Sequence, residues 1–439
     1  MKIKDFVLRI SLLMGIFSCY ASEINKDSQV SSIVLRHSLD NYLGQQLESI
    51  IKKFNATHPG IQIILDYGGN YTESFEKTFQ EKDHSKRPHL LLVAEYNTKT
   101  MFDKKGDYIP VDDIIDVKRH NFTPVIQAFY SFKMEGSDQF RMLSMPFACS
   151  TAVLYYNKEA FKKAELDPLE ASVTWEKLEE VSVKLIKAGY KGFTMAWRPA
   201  YMFEHFATVH NLPFADPRNG FESGDISLRI DEKPYVEQLM RFVKWAKEGY
   251  YLDFKKNEDA EEAFANGSVA ILMQGANREG ILKNQIAKAG QHFELGVCAY
   301  PYSSALVKEP YALNIGGTSL WVLADHKEDQ DKVKLFLNYL ASPEIQAEWH
   351  QKTAYLPVTL DAYELTRKSN FYATHPAHAI ACQQVIQRTA NLPNGLRIPE
   401  YAKVRERISQ AIDRVMEGKD AAAELKAVVV EAPAIMQEK

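Results

Sequence analysis

The chain has 439 residues, 46% hydrophobic, 25% charged and 11% aromatic, which is more length than one hydrophobic core usually organises. A formal net charge of −4 excludes a protein held chiefly by electrostatics to nucleic acid or an anionic membrane, and four cysteines exclude a disulfide-built scaffold. With only one long apolar stretch, at the N-terminus, the chain is not a polytopic membrane protein.

That stretch comes first. Met1-Lys2-Ile3-Lys4 and Arg9 form a basic start, Ile10 to Phe17 is almost wholly apolar, and Ala21 follows Cys19 by two residues. This order predicts a secretory signal peptide over residues 1–21 and a periplasmic protein. The polar stretch Ser22 to Ser32 argues against a buried N-terminal helix. Cleavage after Ala21 removes Lys2, Lys4, Arg9 and Asp5, a net +2, and takes the remainder from −4 to −6. Ile16-Phe17-Ser18-Cys19 loosely resembles a lipoprotein cleavage box with a bulky Phe17, so a lipid anchor at Cys19 is the lesser alternative. Cys149, Cys298 and Cys382 remain, with no CxxC spacing.

From Ile33 strand-like runs alternate with amphipathic helix patterns, the signature of an α/β fold. Ile33-Val34-Leu35 reads as a strand, and Leu43, Leu47, Ile50, Ile51 and Phe54 recur at helical spacing until Pro59-Gly60. Ile61 to Tyr67 is a second strand, Thr72 to Lys82 a helix and Leu90 to Val93 a third strand, an order that predicts parallel pairing. Ligands of such sheets gather at the carboxyl ends of strands, where Gly68-Gly69-Asn70-Tyr71 and Glu95-Tyr96 stand. Further on, a helix is predicted from Trp175, another over Val236 to Ala246, and strands over Val269 to Met273 and Thr318 to Leu323. The final quarter, from Gln330, is helical in pattern with breaks at Pro343, Pro357, Pro376 and Pro399.

GxSxG, HExxH, GxxxxGK and GxGxxG are all missing, which weakens an enzyme reading. His375, His378 and Cys382 would share one helical face and could ligate zinc or copper, but two helix-start histidines and a buried thiol explain the pattern as well. No cofactor and no metal are expected.

Several stretches together carry a family resemblance. Leu154-Tyr155-Tyr156-Asn157-Lys158-Glu159-Ala160-Phe161, with Asp167-Pro168 and Thr174-Trp175, resembles the centre of extracellular solute-binding proteins of ABC importers, as does Phe264-Ala265-Asn266-Gly267-Ser268-Val269-Ala270. Ala347-Glu348-Trp349-His350-Gln351-Lys352-Thr353-Ala354-Tyr355-Leu356-Pro357, with Gly316-Gly317-Thr318-Ser319-Leu320-Trp321-Val322, Asn219-Gly220-Phe221 and Gly395-Leu396-Arg397, resembles the glycerol-3-phosphate-binding branch of that family. The similarity runs from about His37 to Arg405.

The resemblance implies two α/β lobes that close on a ligand, with chain crossings near Ser150, Gly275 and Gly317. Residues 22–149 and 275–316 would form the first lobe, and 150–274 and 317–439 the second. It implies a monomer that captures sn-glycerol-3-phosphate or glycerophosphodiesters, catalyses nothing, and delivers to a permease with an ATP-hydrolysing subunit. An oligosaccharide binder of the same family and a secreted phosphodiesterase are the alternatives.

Site roles follow residue by residue. Tyr71 and Tyr355 match contacting tyrosines, although either side chain could equally be packing. Glu95 matches a carboxylate that accepts from glycerol hydroxyls, away from the phosphate end. Ser150 matches a donor, with Ala148 and Cys149 replacing two polar neighbours usual in the family. Gly317 matches a glycine whose N–H reaches the ligand, and Arg405 the phosphate-gripping arginine, with Arg397 a weaker second. Trp197 matches a tryptophan floor or is ordinary lobe packing. Gly275 stands where the family carries a ligand-binding serine; its N–H could still face an anion, and Arg278 could compensate.

Overall fold

The computed structural model describes residues 30–39, 41–134, 136, 139–170, 172–388, 393 and 395–438; the predicted leader and Cys19 lie outside the described residues. Among them no helix is long and apolar enough to cross a membrane.

The first sheet begins with β1 (Ser31–His37), which lies parallel to both β2 (Ile61–Tyr67) and β3 (Leu90–Ala94). The connecting helix α1 (Asn41–Thr57) makes this possible, carrying the chain back across the sheet and burying Leu43, Leu47, Ile50, Ile51 and Phe54 against it. Truncating any one of these, Leu47→Ala for example, removes roughly 2–5 kcal/mol. The second connection holds α2 (Tyr71–Gln80), whose start is set by a capping box: Asn70 Oδ1 accepts from the Glu73 N–H and Glu73 accepts from the Asn70 N–H. That cap makes Tyr71 the first helical residue, at the carboxyl end of β2. Two further strands, β4 (Tyr108–Ile109) and β5 (Met145–Ser150), lie beyond β3 in the same layer.

The second sheet contains β6 (Ala152–Asn157), β7 (Lys191–Met195), β8 (Tyr251–Leu252), β9 (Val269–Gly275) and β10 (Leu295–Ala299), in the order β8-β7-β9-β6-β10. β6 and β9 are buried along their whole length, as expected of strands covered on both faces. Helices α3 (Trp175–Lys187) and α4 (Lys233–Lys247) cover one face, where Trp175, Phe242 and Trp245 meet Phe193 at ring distances of 6.3–6.5 Å. Thr174 caps α3, accepting from the Lys177 N–H at 3.1 Å.

The chain leaves the first sheet at Ser150 and enters the second at Ala152. It returns only after β10, because β11 (Gly316–Leu323) pairs antiparallel with β3, β4 and β5. Helices α5 (Gln330–Leu340) and α6 (Pro343–Thr353) then stay with the first sheet: Phe336 meets Phe54 at 5.0 Å and the Tyr339 hydroxyl donates to the Ile50 carbonyl at 3.2 Å. Past residue 376 the chain is back on the second sheet, where Gln384 donates to the Ala152 carbonyl and accepts from the Tyr300 N–H. It stays there through α7 (Tyr401–Met416) and α8 (Ala421–Met436).

Strand pairing therefore corrects the expected lobe boundaries. Residues 295–299 belong to the second sheet and 317–323 to the first, the reverse of the expectation, and 330–353 also pack on the first. The sequence reading passes over β10 because Gly296 weakens the strand pattern. Yet only glycine fits: a Cβ there would stand 2.0 Å from Cζ of Tyr156, whose ring crosses over it. Pro343 and Pro376 begin helices rather than interrupting them, since a first-turn residue needs no N–H bond.

Candidate functional site

The two sheets meet where β5 and β11 run side by side, Ser150 opposite Gly316 and Cys149 opposite Gly317. Gly317 has φ of +88°, and a Cβ on it would lie 2.1 Å from the Ala148 carbonyl oxygen, so no other residue allows this approach. Ser150 is 8% exposed and its hydroxyl donates to Asn277 Oδ1 at 3.1 Å. Ala148 and Cys149 are fully buried, the Cys149 thiol facing the Tyr130 hydroxyl and the Thr318 carbonyl.

Gly275 joins this junction, since a Cβ on it would lie 3.5 Å from Ser150 Oγ. Its N–H is taken by Gln274 Oε1 at 2.8 Å and the next N–H, of Ala276, by the Thr151 carbonyl, so the expected free backbone donors are already bonded. Arg278 does not compensate either. Its guanidinium grips Glu261, which is 3% exposed, at 2.8–2.9 Å, and a buried carboxylate holds such a partner firmly.

On the first lobe Glu95 follows directly on β3, and Tyr71 opens α2. Tyr71 and Tyr355 share a hydroxyl hydrogen bond, and burial, then Tyr355, Tyr96 and Glu95, push the Tyr71 hydroxyl well above its ordinary pKa. The Tyr355 ring, 2% exposed, stacks on Trp349 at 5.7 Å. Its carbonyl is bonded to His350 Nδ1 at 2.5 Å, and burial lowers the His350 pKa to about 3.

The second lobe supplies Arg405, on the first turns of α7. Its Nε and Nη2 donate to the two carboxylate oxygens of Glu204 at 2.7 Å each, and Nη2 also donates to Glu95 Oε1 at 2.8 Å. The guanidinium carbon lies 4.9 Å from the Tyr96 ring centre and 5.1 Å from that of Tyr401. Burial works to lower the Arg405 pKa, but Glu204 and Glu95 hold it well above the ordinary value. Burial raises that of Glu95, and Arg405 opposes the rise. The sequence reading sets Glu95 at the end of the site away from Arg405. The structure joins them, and two carboxylates together offset the cost of taking the guanidinium largely out of water.

Trp197 follows β7 in a left-handed conformation, φ +48°; the residue is 41% exposed and its backbone N–H donates to Asn257 Oδ1 at 2.7 Å. Nearby, the Tyr201 hydroxyl donates to Gln274 Oε1 at 3.3 Å.

Of the eight predicted residues, the fold brings Glu95 to Arg405, Tyr71 to Tyr355, and Ser150 to Gly275 and Gly317. Arg397 stands elsewhere. It is 2% exposed, donates to the carbonyls of Ala128, Phe129 and Ser131, and is sandwiched between Phe132 and Phe221 at 3.8 Å from each ring centre. Burial lowers its pKa to about 9. A groove of about 2030 Å³ between the lobes has Arg397 in its wall and none of the eight residues. His375 stacks on Phe371, His378 faces Glu279 Oε2 at 3.5 Å and Cys382 meets the Tyr372 hydroxyl at 3.6 Å, so these three do not converge on a metal.

Glu204 escapes the sequence reading. Its signal is a lone carboxylate in the apolar run Ala200-Tyr201-Met202-Phe203-Glu204-His205-Phe206, since a charge buried in such a segment must find a partner.

Comparison with known proteins decides the family. The model of the bacterial extracellular solute-binding proteins matches residues 49–380. This chain belongs to that family. It is 35% identical over 401 residues to the sn-glycerol-3-phosphate-binding periplasmic protein UgpB of Escherichia coli O1:K1 / APEC, covering 89% of each chain. Its namesake in Yersinia pseudotuberculosis serotype I (strain IP32953) is 35% identical over 399 residues, 89% of this chain and 88% of the relative. Among solved structures, the GacH receptor of Streptomyces glaucescens GLA.O superposes with a TM-score of 0.74 at 17% identity, over 93% of this chain and 99% of that one. UgpB from Mycobacterium tuberculosis, in complex with glycerophosphocholine, gives 0.71 at 20% identity, over 92% and 98%. These two likenesses establish the shared two-lobed fold.

Proposed function

We propose that the chain is the periplasmic capture subunit of an ABC importer for sn-glycerol-3-phosphate or glycerophosphodiesters, working as a monomer and without catalysis. The observation that carries the reading is Arg405: a partly buried guanidinium, oriented by Glu204, facing Glu95 of the other lobe. A fixed guanidinium fork suits phosphate oxygens, and a carboxylate beside it suits hydroxyls of a polyol. The Tyr71–Tyr355 hydroxyl pair and Ser150 add donors, Gly317 lets the backbone come close, and the Trp197 indole offers a face to glycerol carbons. A ligand that bridges both lobes stabilises the closed arrangement, which gives affinity by population shift. Residues 1–21 act as the export signal, and the released protein hands its ligand to a permease with an ATP-hydrolysing subunit.

Calorimetry with sn-glycerol-3-phosphate and glycerophosphocholine tests this: both bind to the wild type, and Arg405→Ala abolishes the heat signal. Unchanged affinity in that variant removes the proposed grip. The exposed indole also suits a sugar face, so the oligosaccharide alternative predicts competition by maltose-like ligands and indifference to phosphate. Recovery of the diester as cleaved product would replace the binding reading with a phosphodiesterase.

A further inference from the structure

Arg405 is more than a positive group in a cleft, because two carboxylates share it. Glu204, with a side chain 4% exposed, takes Nε and Nη2, and Glu95 takes Nη2 a second time. Among the described residues the guanidinium thus meets no carboxylate at Nη1, and the three side chains together carry a net charge of −1 with all ionised. Resting on the function proposed above, we infer that Glu204 is a positioning residue that fixes the guanidinium plane and sets the site's charge, so that the site binds a phosphoryl group bearing one negative charge more tightly than the dianion.

The physical argument is one of like charge in a buried place. A singly charged phosphoryl group can replace Glu95 on Arg405 while Glu95 turns to ligand hydroxyls. A dianion adds a second negative charge to a cluster that Glu204 has already made negative, where screening by water is weak. A phosphate diester is a monoanion at every pH of interest. A monoester becomes one only as its dianion takes up a single proton, near pH 6.

The neighbours of Arg405 leave few other groups to titrate between pH 7.5 and 5.5. Tyr96 on the first lobe, Tyr401 on α7 and Tyr201 beside Glu204 all have hydroxyl pKa values raised by burial. Burial lowers the His205 pKa to about 4, so it stays neutral. Glu261 and Arg278, one step further behind Gln274, pair with each other. Glu95 remains, and its protonation would affect both kinds of ligand alike.

The test is therefore a ratio. Calorimetry on the purified full-length protein freed of its leader measures sn-glycerol-3-phosphate and its methyl diester at pH 7.5 and 5.5. The monoanion fraction of the monoester rises roughly 25-fold across that interval for a second pKa near 6. The monoester-to-diester affinity ratio of the wild type should rise on the order of 20-fold. Glu204→Gln should flatten that rise to about threefold or less by relieving the negative charge, and Glu204→Asp should keep the slope whatever its absolute affinity. A wild-type ratio that does not move with pH overturns the inference, as does an unchanged slope in Glu204→Gln. Should Glu204→Gln fail to fold, the wild-type ratio alone still decides against or for charge selection. Binding of neither ligand at either pH instead defeats the underlying function, whereas tight binding of both with a flat ratio defeats only the charge selection.

Discussion

Arg405, partly buried, and Arg397, fully buried, both tie the lobes together, and they do it with opposite chemistry. Arg405 reaches from α7 to carboxylates, one on its own lobe and one on the other. Arg397 reaches across to three backbone carbonyls and lies between two phenylalanine rings. Side-chain carboxylates can turn away and be replaced by a ligand's oxygens. Backbone carbonyls and stacked rings cannot be exchanged without unfolding their strands. One arginine is built to let go of a partner, the other to hold on.

Replacing each with alanine should separate the two roles. Arg397→Ala leaves three carbonyls without their donor and removes two cation–π contacts, a loss of about 3–5 kcal/mol visible as a lower urea midpoint. Its folded fraction should bind ligand within about threefold of wild type. Arg405→Ala should destroy binding, and it too destabilises, because the buried Glu204 and the partly buried Glu95 are left without a cation, worth up to about 3–5 kcal/mol at pH 7. The two losses differ in pH dependence: protonating the orphaned carboxylates should recover part of the Arg405→Ala deficit at pH 5, while the Arg397→Ala deficit should not change. Identical pH profiles of the two deficits would break the comparison.

A smaller effect sharpens it. The wall opposite Arg405 rests on Tyr355, whose carbonyl is held by His350, with His350 Nε2 against the Tyr372 hydroxyl at 2.9 Å. Burial holds the folded His350 pKa at about 3, far below its unfolded value near 6.5. Above pH 6.5 neither state is protonated and the group contributes nothing to pH dependence. Below it the unfolded chain takes up the proton first, so stability falls as pH falls, by about 1.4 kcal/mol at pH 5.5. In His350→Gln the stability difference between pH 7.5 and 5.5 should shrink by about that amount in urea titrations. An unaltered difference would mean that His350 does not stay neutral. The Arg397 region, with no titrating partner among its contacts, should show no such term.

How far these regions were legible in the sequence follows from what each signal depends on. The strands and helices of the first hundred residues were readable because Leu43, Leu47, Ile50, Ile51 and Phe54 keep strict helical spacing between two apolar runs. The meeting of Glu95 with Arg405, 310 positions apart, was not, because periodicity says nothing about long-range pairing. The family resemblance put both residues in the site but kept them at opposite ends of the ligand. Glu204 was missed because a charged residue in sequence looks solvated, and only burial shows what it must bind. Arg397, read as a second phosphate candidate, turns out to spend its donors on the backbone carbonyls of Ala128, Phe129 and Ser131. The lobe boundaries failed at β10 and β11, where pairing rather than pattern decides membership.

Gly275 offers the finest adjustment. A serine there would bring a hydroxyl to the junction of Ser150 and Asn277, close to the place where relatives are expected to use one. Its Cβ would meet Asn277 Oδ1 at 2.5 Å, the far end of a side chain that can turn away by giving up its bond from Ser150, and Ser150 Oγ at an ordinary 3.5 Å. The backbone raises no objection, since φ is −61°. Gly275→Ser should therefore change stability by no more than about 1 kcal/mol in thermal unfolding. One added bond to a charged ligand contributes about 1.5–3 kcal/mol at best, so affinity for sn-glycerol-3-phosphate should rise by up to roughly tenfold once the displacement of Asn277 is subtracted. The same substitution combined with Arg405→Ala should gain nothing, because the hydroxyl helps only a ligand already anchored by the guanidinium. A gain that survives without Arg405 would place the phosphate at the Ser150 junction instead, and would make Arg405, like Arg397, a residue that only holds the lobes together.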